Sequence, residues 1–495
     1  MRFERACGVL LHPTSLPGPY GIGDLGPEAH RYLEWLAGAG VRWWQVLSLN
    51  APGGGNSPYA ARSAFAGNPL LVSPEFLCED DLLAPSDLAA LPRLRPAPVD
   101  FQHAIPLKRQ VLRQAFARFR RAPGALAAAF EAFRAESEHW LPDFAVYEAL
   151  KEQHGDAAWT DWPEEYGQRR EPALGHWRAK NRDDIEFQEF CQFLFDRQWQ
   201  RLRARGRELN IRILGDVPIY MAEDSADVWA RRELFLLDER GRPAVVAGVP
   251  PDYFNENGQL WGNPLYDWEL MASRGFEWWV RRLEHALRYC DVVRLDHFRG
   301  FAAFWEVQAG STSARDGRWV PGPGSELFRA LEAQLGRLPL VAEDLGEITD
   351  DVLALRDEFD LTGMAVLQFA FSPHDRSKFL PYEHARNLLV YTGTHDNNTT
   401  RGWYEEEASE EVRDFVRRYA ATSGEEIHWD LIRLALGSVA DLAMVPHQDV
   451  AGLGSRYRMN RPGEEEGNWA FRLEDGMLDR RYRDRLAELI WLYGR

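Results

Sequence analysis

Short apolar runs recur along the chain, each ending in a polar or acidic loop. The first three occupy residues 8–13, 41–49 and 211–219, and 292–298, 338–343, 364–369, 388–392 and 442–446 follow. Runs that are apolar throughout, without alternation, suit parallel strands buried on both faces. Between the first two runs, residues 27–38 begin on Pro27 and end on Gly38, which predicts a helix. Strand, helix, strand is the rhythm of an α/β protein. Eight such strands predict a (β/α)8 TIM barrel, whose chemistry sits on loops at the C-terminal ends of the strands.

The rhythm breaks after the second strand. Residues 107–121, 124–140, 144–153 and 185–205 carry apolar positions three and four apart, the mark of amphipathic helices. The predicted organisation is therefore residues 1–50 as the first barrel strands and helix, 51–205 as a loop plus a mostly helical insertion, and 206–247 as the third-strand region. An aromatic loop at 248–270 and the rest of the barrel at 271–495 complete it, with no separate C-terminal β domain.

Composition narrows the function. A formal net charge of −18 repels phosphate backbones and anionic bilayers, so neither nucleic acid nor a membrane is an expected partner. Cys7, Cys78, Cys191 and Cys290 are scattered and predict free thiols. Neither a signal-peptide pattern nor a membrane-length apolar run is visible, so the expected address is cytoplasmic. Nineteen Trp and sixteen Tyr exceed what a core needs. Most of these rings should be packing residues, but rings with a flat apolar face and a polar edge also suit sugars.

Three strand ends deliver carboxylates to one rim. Arg294 and Asp296, two apart in a strand, point to the same side, so the cation should hold Asp296 ionised, as a nucleophile requires. The alternative is an ordinary structural ion pair. Glu343 follows the apolar residues 339–342; desolvation would keep it protonated as a general acid, with Asp344 as its competitor and Asp350 as cap of the next helix. Asp396 could grip sugar hydroxyls as the ring flattens, helped by His395. His12 and His297 end other strands, and His12 is read as structural. Aromatic surface is expected from Tyr59 and from the loop carrying Tyr253, Phe254 and Trp261.

Taken together, Gly215-Asp216-Val217-Pro218, Arg294-Leu295-Asp296-His297, Ala342-Glu343-Asp344-Leu345-Gly346 and Gly393-Thr394-His395-Asp396-Asn397 resemble the amylomaltase (4-α-glucanotransferase, disproportionating enzyme) family of the α-amylase clan. The resemblance extends from Leu11 to Gly463. It implies transfer of α-1,4-glucan segments between maltooligosaccharides, amylose and glucose by a retaining double displacement, with cyclic glucans as further products. By the same resemblance Asp296 is the nucleophile, Glu343 the acid/base and Asp396 the transition-state stabiliser. Tyr59, Asp216, Tyr253, Phe254, Arg294, His297, His395 and Asn460 match substrate-binding positions, and neither cofactor nor metal is implied. Retaining chemistry requires the two catalytic carboxyls to lie about 5–5.5 Å apart. The rival functions are an α-1,4-glucan hydrolase of the same clan, a metal-dependent barrel hydrolase using the three histidines, and a non-catalytic glucan-binding protein.

Overall fold

The computed structural model describes residues 2–251, 256–374, 376–464 and 466–495. Its strands are β1 (Ala6–Leu10), β2 (Trp43–Gln45), β3 (Arg212–Pro218), β4 (Val245–Val249), β5 (Gln259–Pro264), β6 (Val292–Asp296), β7 (Ala303–Gln308), β8 (Arg318–Pro321), β9 (Leu340–Ala342), β10 (Gly363–Val366), β11 (Leu388–Tyr391) and β12 (Leu442–Pro446). One sheet runs β10-β11-β12-β1-β2-β3-β6-β9, with every pairing parallel. Its ends meet where Val341 bridges Thr362 and the Ala342 N–H donates to the Thr362 carbonyl at 2.8 Å, which closes the barrel.

All eight predicted runs supply barrel strands: β12 keeps its predicted bounds, β1 starts two residues and β10 one residue earlier than predicted, and the others are shortened. β1 and β12 are buried at every position, which is why their sequences are apolar throughout. The 364–369 run is strand only to Val366, after which Leu367–Phe369 tightens into a 3-10 turn. Helix Pro27–Gly38 buries Ala29, Tyr32, Leu33 and Leu36, the spacing of one helix face. A Cβ at Gly215 would stand 2.1 Å from Cys290 Sγ, so only glycine lets the chain pass here, one residue before Asp216.

Three expectations change. The insertion's last helix, Arg182–Glu208, is shared: it packs on helix Leu141–Gln153 of the insertion and also on β3 and on helix Pro27–Gly38, and its Trp199 Nε1 donates to the Tyr289 carbonyl at 2.9 Å. Parallel strands need a crossover, and this helix is the one between β2 and β3. Residues 248–270 are not simply a loop, because β4 and β5 join β7 and β8 in an antiparallel sheet ordered β5-β4-β7-β8. β5 is the edge strand, paired with its neighbour β4 and largely exposed, so no apolar periodicity marks it. Helix Asp350–Glu358 has Thr349, not Asp350, at its N-cap. The antiparallel sheet grows from the segments after β3 and β6 and so stands over the C-terminal rim. Among the described residues no helix is long and apolar enough to cross a membrane.

Candidate active site

β6 and β9 are neighbours, with Leu295 opposite Ala342, so the next residue on each chain, Asp296 and Glu343, leaves the barrel at the same rim. The Glu343 N–H donates to the Leu295 carbonyl at 3.1 Å. His297 then adopts a left-handed φ of 52°, which favours glycine and is held here by its surroundings. Its N–H donates to Glu343 Oε2 at 2.7 Å, and the Leu345 N–H donates to Oε1 at 3.2 Å. The Glu343 carboxyl is thereby fixed beside the backbone that carries Asp296.

Behind Asp296 lies a buried charge chain. Arg294 donates to Asp296 Oδ1 at 2.7 Å and, through Nε and a terminal nitrogen, to Asp216 Oδ2 at 3.0 and 2.8 Å. The Tyr59 hydroxyl donates to the same Asp216 oxygen at 2.7 Å. The Asp216 side chain is 0% exposed while that of Asp296 is 29% exposed. The motif predicts sugar contact at Asp216; the structure places the Asp216 side chain beneath Arg294 and Tyr59, sealed from the rim. It stands opposite Arg294 in register and positions Arg294 and Tyr59 from beneath.

Burial pushes both rim carboxyls up, Asp296 to about 7 and Glu343 to about 8. At Asp296 the Arg294 guanidinium opposes burial; at Glu343 the Asp296 charge adds to it. The expectation that Arg294 would depress Asp296 is thus corrected: desolvation outweighs the cation. The two groups titrate as a pair, and the arginine-bound Asp296 gives up its proton before Glu343. The competing Asp344 is turned away, buried, with Arg356 at 2.7 Å and the Met364 N–H at 2.7 Å.

The third carboxylate is held from the far side of the rim. Asn460 Nδ2 donates to Asp396 Oδ1 at 2.6 Å, and His395 Nε2 is 3.3 Å from the same oxygen. Arg458 donates to the Asp396 carbonyl at 2.5 Å. The Tyr59 ring stacks on His395 with centroids 5.1 Å apart and planes 6° apart, and Trp469 tilts against both rings. Burial lowers the His395 pKa, so its imidazole is neutral and offers one donor. His12 is buried, and burial together with His395 pushes it down to about 3. Sequence reading missed Trp469 and Arg458: they lie late in the chain, outside any strand end, and only the fold brings Arg458 to Asp396 and Trp469 to the Tyr59–His395 stack.

Asp296, His297, Tyr59, Tyr220 and Trp261 line one open cleft of about 690 Å3. Trp261 is 37% exposed and meets the His297 ring edge-on at 4.7 Å. By contrast Trp44, Trp159, Trp199, Trp229, Trp279 and Trp429 are fully buried packing residues. Tyr253 and Phe254 lie outside the described residues. Among the described residues no three His, Cys, Asp or Glu side chains gather as a metal site.

A family profile described as 4-alpha-glucanotransferase matches residues 11–478. The chain belongs to that family. It is 47% identical to the 4-alpha-glucanotransferase of Synechocystis sp., over 99% of this chain and 98% of that one. It is 48% identical to that of Thermus thermophilus, over 99% of each. Among solved structures, the amylomaltase of Streptococcus agalactiae in complex with acarbose superposes with a TM-score of 0.96 at 34% identity, covering 99% of this chain and all of that one. The 4-alpha-glucanotransferase fold thus accounts for the chain from end to end, the antiparallel sheet over the rim included.

Proposed function

We propose that the protein is a 4-α-glucanotransferase that moves α-1,4-glucan segments between maltodextrin chains by a retaining double displacement. The observation that carries this reading is the pairing of two rim carboxyls with unequal surroundings. Asp296 is bonded to a guanidinium, whereas Glu343 accepts only backbone N–H groups. Adjacent strands are about 4.8 Å apart, which suits the separation of about 5–5.5 Å that retention requires.

Asp296 attacks the anomeric carbon as the glycosidic bond breaks, and the Glu343 proton passes to the departing 4-oxygen. The glycosyl-enzyme is an ester of Asp296. The 4-hydroxyl of an acceptor chain then gives its proton to Glu343 and attacks the same carbon, restoring both carboxyls. Asp396, aligned by Asn460 and assisted by His395, binds ring hydroxyls more tightly as the ring flattens. Arg294 stabilises the Asp296 carboxylate and Asp216 positions that arginine. Maltooligosaccharides and amylose serve as donors, shorter chains and glucose as acceptors, and a chain attacking itself yields a cyclic glucan. The aromatic cleft beside Asp296 supports capture of an acceptor ahead of water. Four free cysteines suit a reducing, cytoplasmic setting.

The test is incubation with maltotriose. Glucose plus a ladder of longer maltodextrins, with the number of reducing ends conserved, is the expected result. Glucose and maltose alone, with reducing ends rising, would mean hydrolysis and overturn the reading.

A further inference from the structure

The opposite end of the barrel carries a second feature that the glucan chemistry does not use. At the N-terminal ends of β1, β2 and β3 a cleft of about 590 Å3 is lined by Arg5, Arg42, Arg207, Arg212 and Arg495, with Glu4 as its one carboxylate. Five guanidiniums share one concavity in a chain whose acidic residues outnumber its Lys and Arg by 76 to 58. The backbone forces the convergence: the Arg42 N–H donates to the Cys7 carbonyl at 3.0 Å and the Arg212 N–H to the Arg42 carbonyl at 2.9 Å. Register therefore sets the residues that precede or begin these strands side by side.

Two of the five are committed to structure. Arg5 donates to the carbonyls of Leu436, Ser438, Ala440 and Tyr493, and Arg495 donates to six carbonyls of the same region. Burial, with Arg5 nearby, pushes Arg495 down to about 10, so these cations repel one another. Asp441, whose charge acts on both, is also paired with Arg386 at 3.3 Å. Arg42, Arg207 and Arg212 are exposed, and among the described residues none of their side chains has a hydrogen bond or an ion pair. Most arginines of this chain hold a carboxylate; these three line one cleft with their donors unpaired, Arg212 lying over the Trp43 ring at 5.6 Å.

We propose that this arginine cleft binds a small phosphorylated sugar. Unpaired guanidiniums present planar donor forks that match phosphate oxygens. The volume is that of a small-molecule site, and the chain's net charge of −18 disfavours a polyanion that would extend beyond it. Asn210 on the same wall supplies an amide for hydroxyl groups. Trp43 is only 3% exposed beneath Arg212, so no aromatic face is free to stack a nucleotide base.

Isothermal titration calorimetry on the full chain with glucose 6-phosphate, inorganic phosphate and glucose tests this. Saturable binding of glucose 6-phosphate is expected, with inorganic phosphate weaker. Arg42→Ala and Arg212→Ala should each weaken it on the order of tenfold, and the double variant should abolish it. Both side chains are exposed and make no hydrogen bond, so the variants should keep wild-type Tm and maltotriose transfer. Arg207→Glu provides an independent third variant. Absence of saturable binding, or binding unchanged in all the variants and therefore located elsewhere, for example at Arg294, would overturn the proposal. So would glucose alone competing as well as its phosphate.

Discussion

Glu343→Gln separates the two half-reactions. The amide keeps the shape, but only its carbonyl oxygen accepts: it can keep the His297 N–H, 2.7 Å from one carboxyl oxygen, and turns its NH2 toward the Leu345 N–H, 3.2 Å from the other. It cannot give a proton to a leaving sugar oxygen, so transfer from maltotriose should fall about 10²- to 10⁴-fold. An α-maltosyl fluoride donor needs no such proton. With it the variant should release one fluoride per active site in a burst and then stall, because the acceptor hydroxyl has lost its base. Azide, which needs no base, should restart turnover. The pH profile gives the magnitude. In the wild type Glu343 titrates near 8, so at pH 9 about one-tenth of it keeps its proton and maltotriose transfer falls roughly tenfold. Asp296 titrates near 7, so at pH 6 about one-tenth is ionised and the acid limb falls equally, leaving an optimum near pH 7.5. In Glu343→Gln with the fluoride donor, the alkaline limb of the burst rate should vanish and the acid limb remain. An unchanged alkaline limb, or a variant that transfers maltotriose at the wild-type rate, would refute the assignment of Glu343.

The same substitution has a stability signature. The folded-state pKa of Glu343 lies above its ordinary 4.5, so stability falls as pH rises from about 4.5 and levels off above about 8. Glu343→Gln should therefore gain on the wild type from pH 5 to pH 8 by on the order of a few degrees in Tm, and a calorimetric difference independent of pH would contradict this. Asn460→Ala releases Asp396 from its 2.6 Å partner and should lower kcat on the order of 10- to 100-fold with KM little changed, as measured on maltotriose. Tyr59→Phe keeps the stack on His395 but removes the 2.7 Å donor to Asp216, costing about 1–3 kcal/mol in denaturant titration. Trp261→Ala opens the cleft wall beside Asp296 and should raise KM about tenfold while kcat changes less, the pattern of lost uniform binding.

Local patterning determined the barrel strands and the acids that end them. Burial on both faces favours runs of apolar residues, broken only where a polar side chain such as Asp216 or Arg294 finds a partner, so each barrel strand announces itself within a few residues. A strand end beside Asp296, Glu343 or Asp396 is equally local. The antiparallel sheet was invisible because its central pairing, β4 with β7, spans dozens of residues, and the exposed edge strand β5 carries no apolar signature. Arg294 two residues from Asp296 could be read as a pair, but whether cation or burial prevails depends on depth, which only the packed barrel sets. The sealing of Asp216 beneath Arg294, the return of Arg458 and Asn460 to Asp396, and that of Trp469 to the Tyr59–His395 stack were likewise decided by tertiary structure. Charge, polarity and periodicity belong to neighbours along the chain; desolvation and contact belong to neighbours in space.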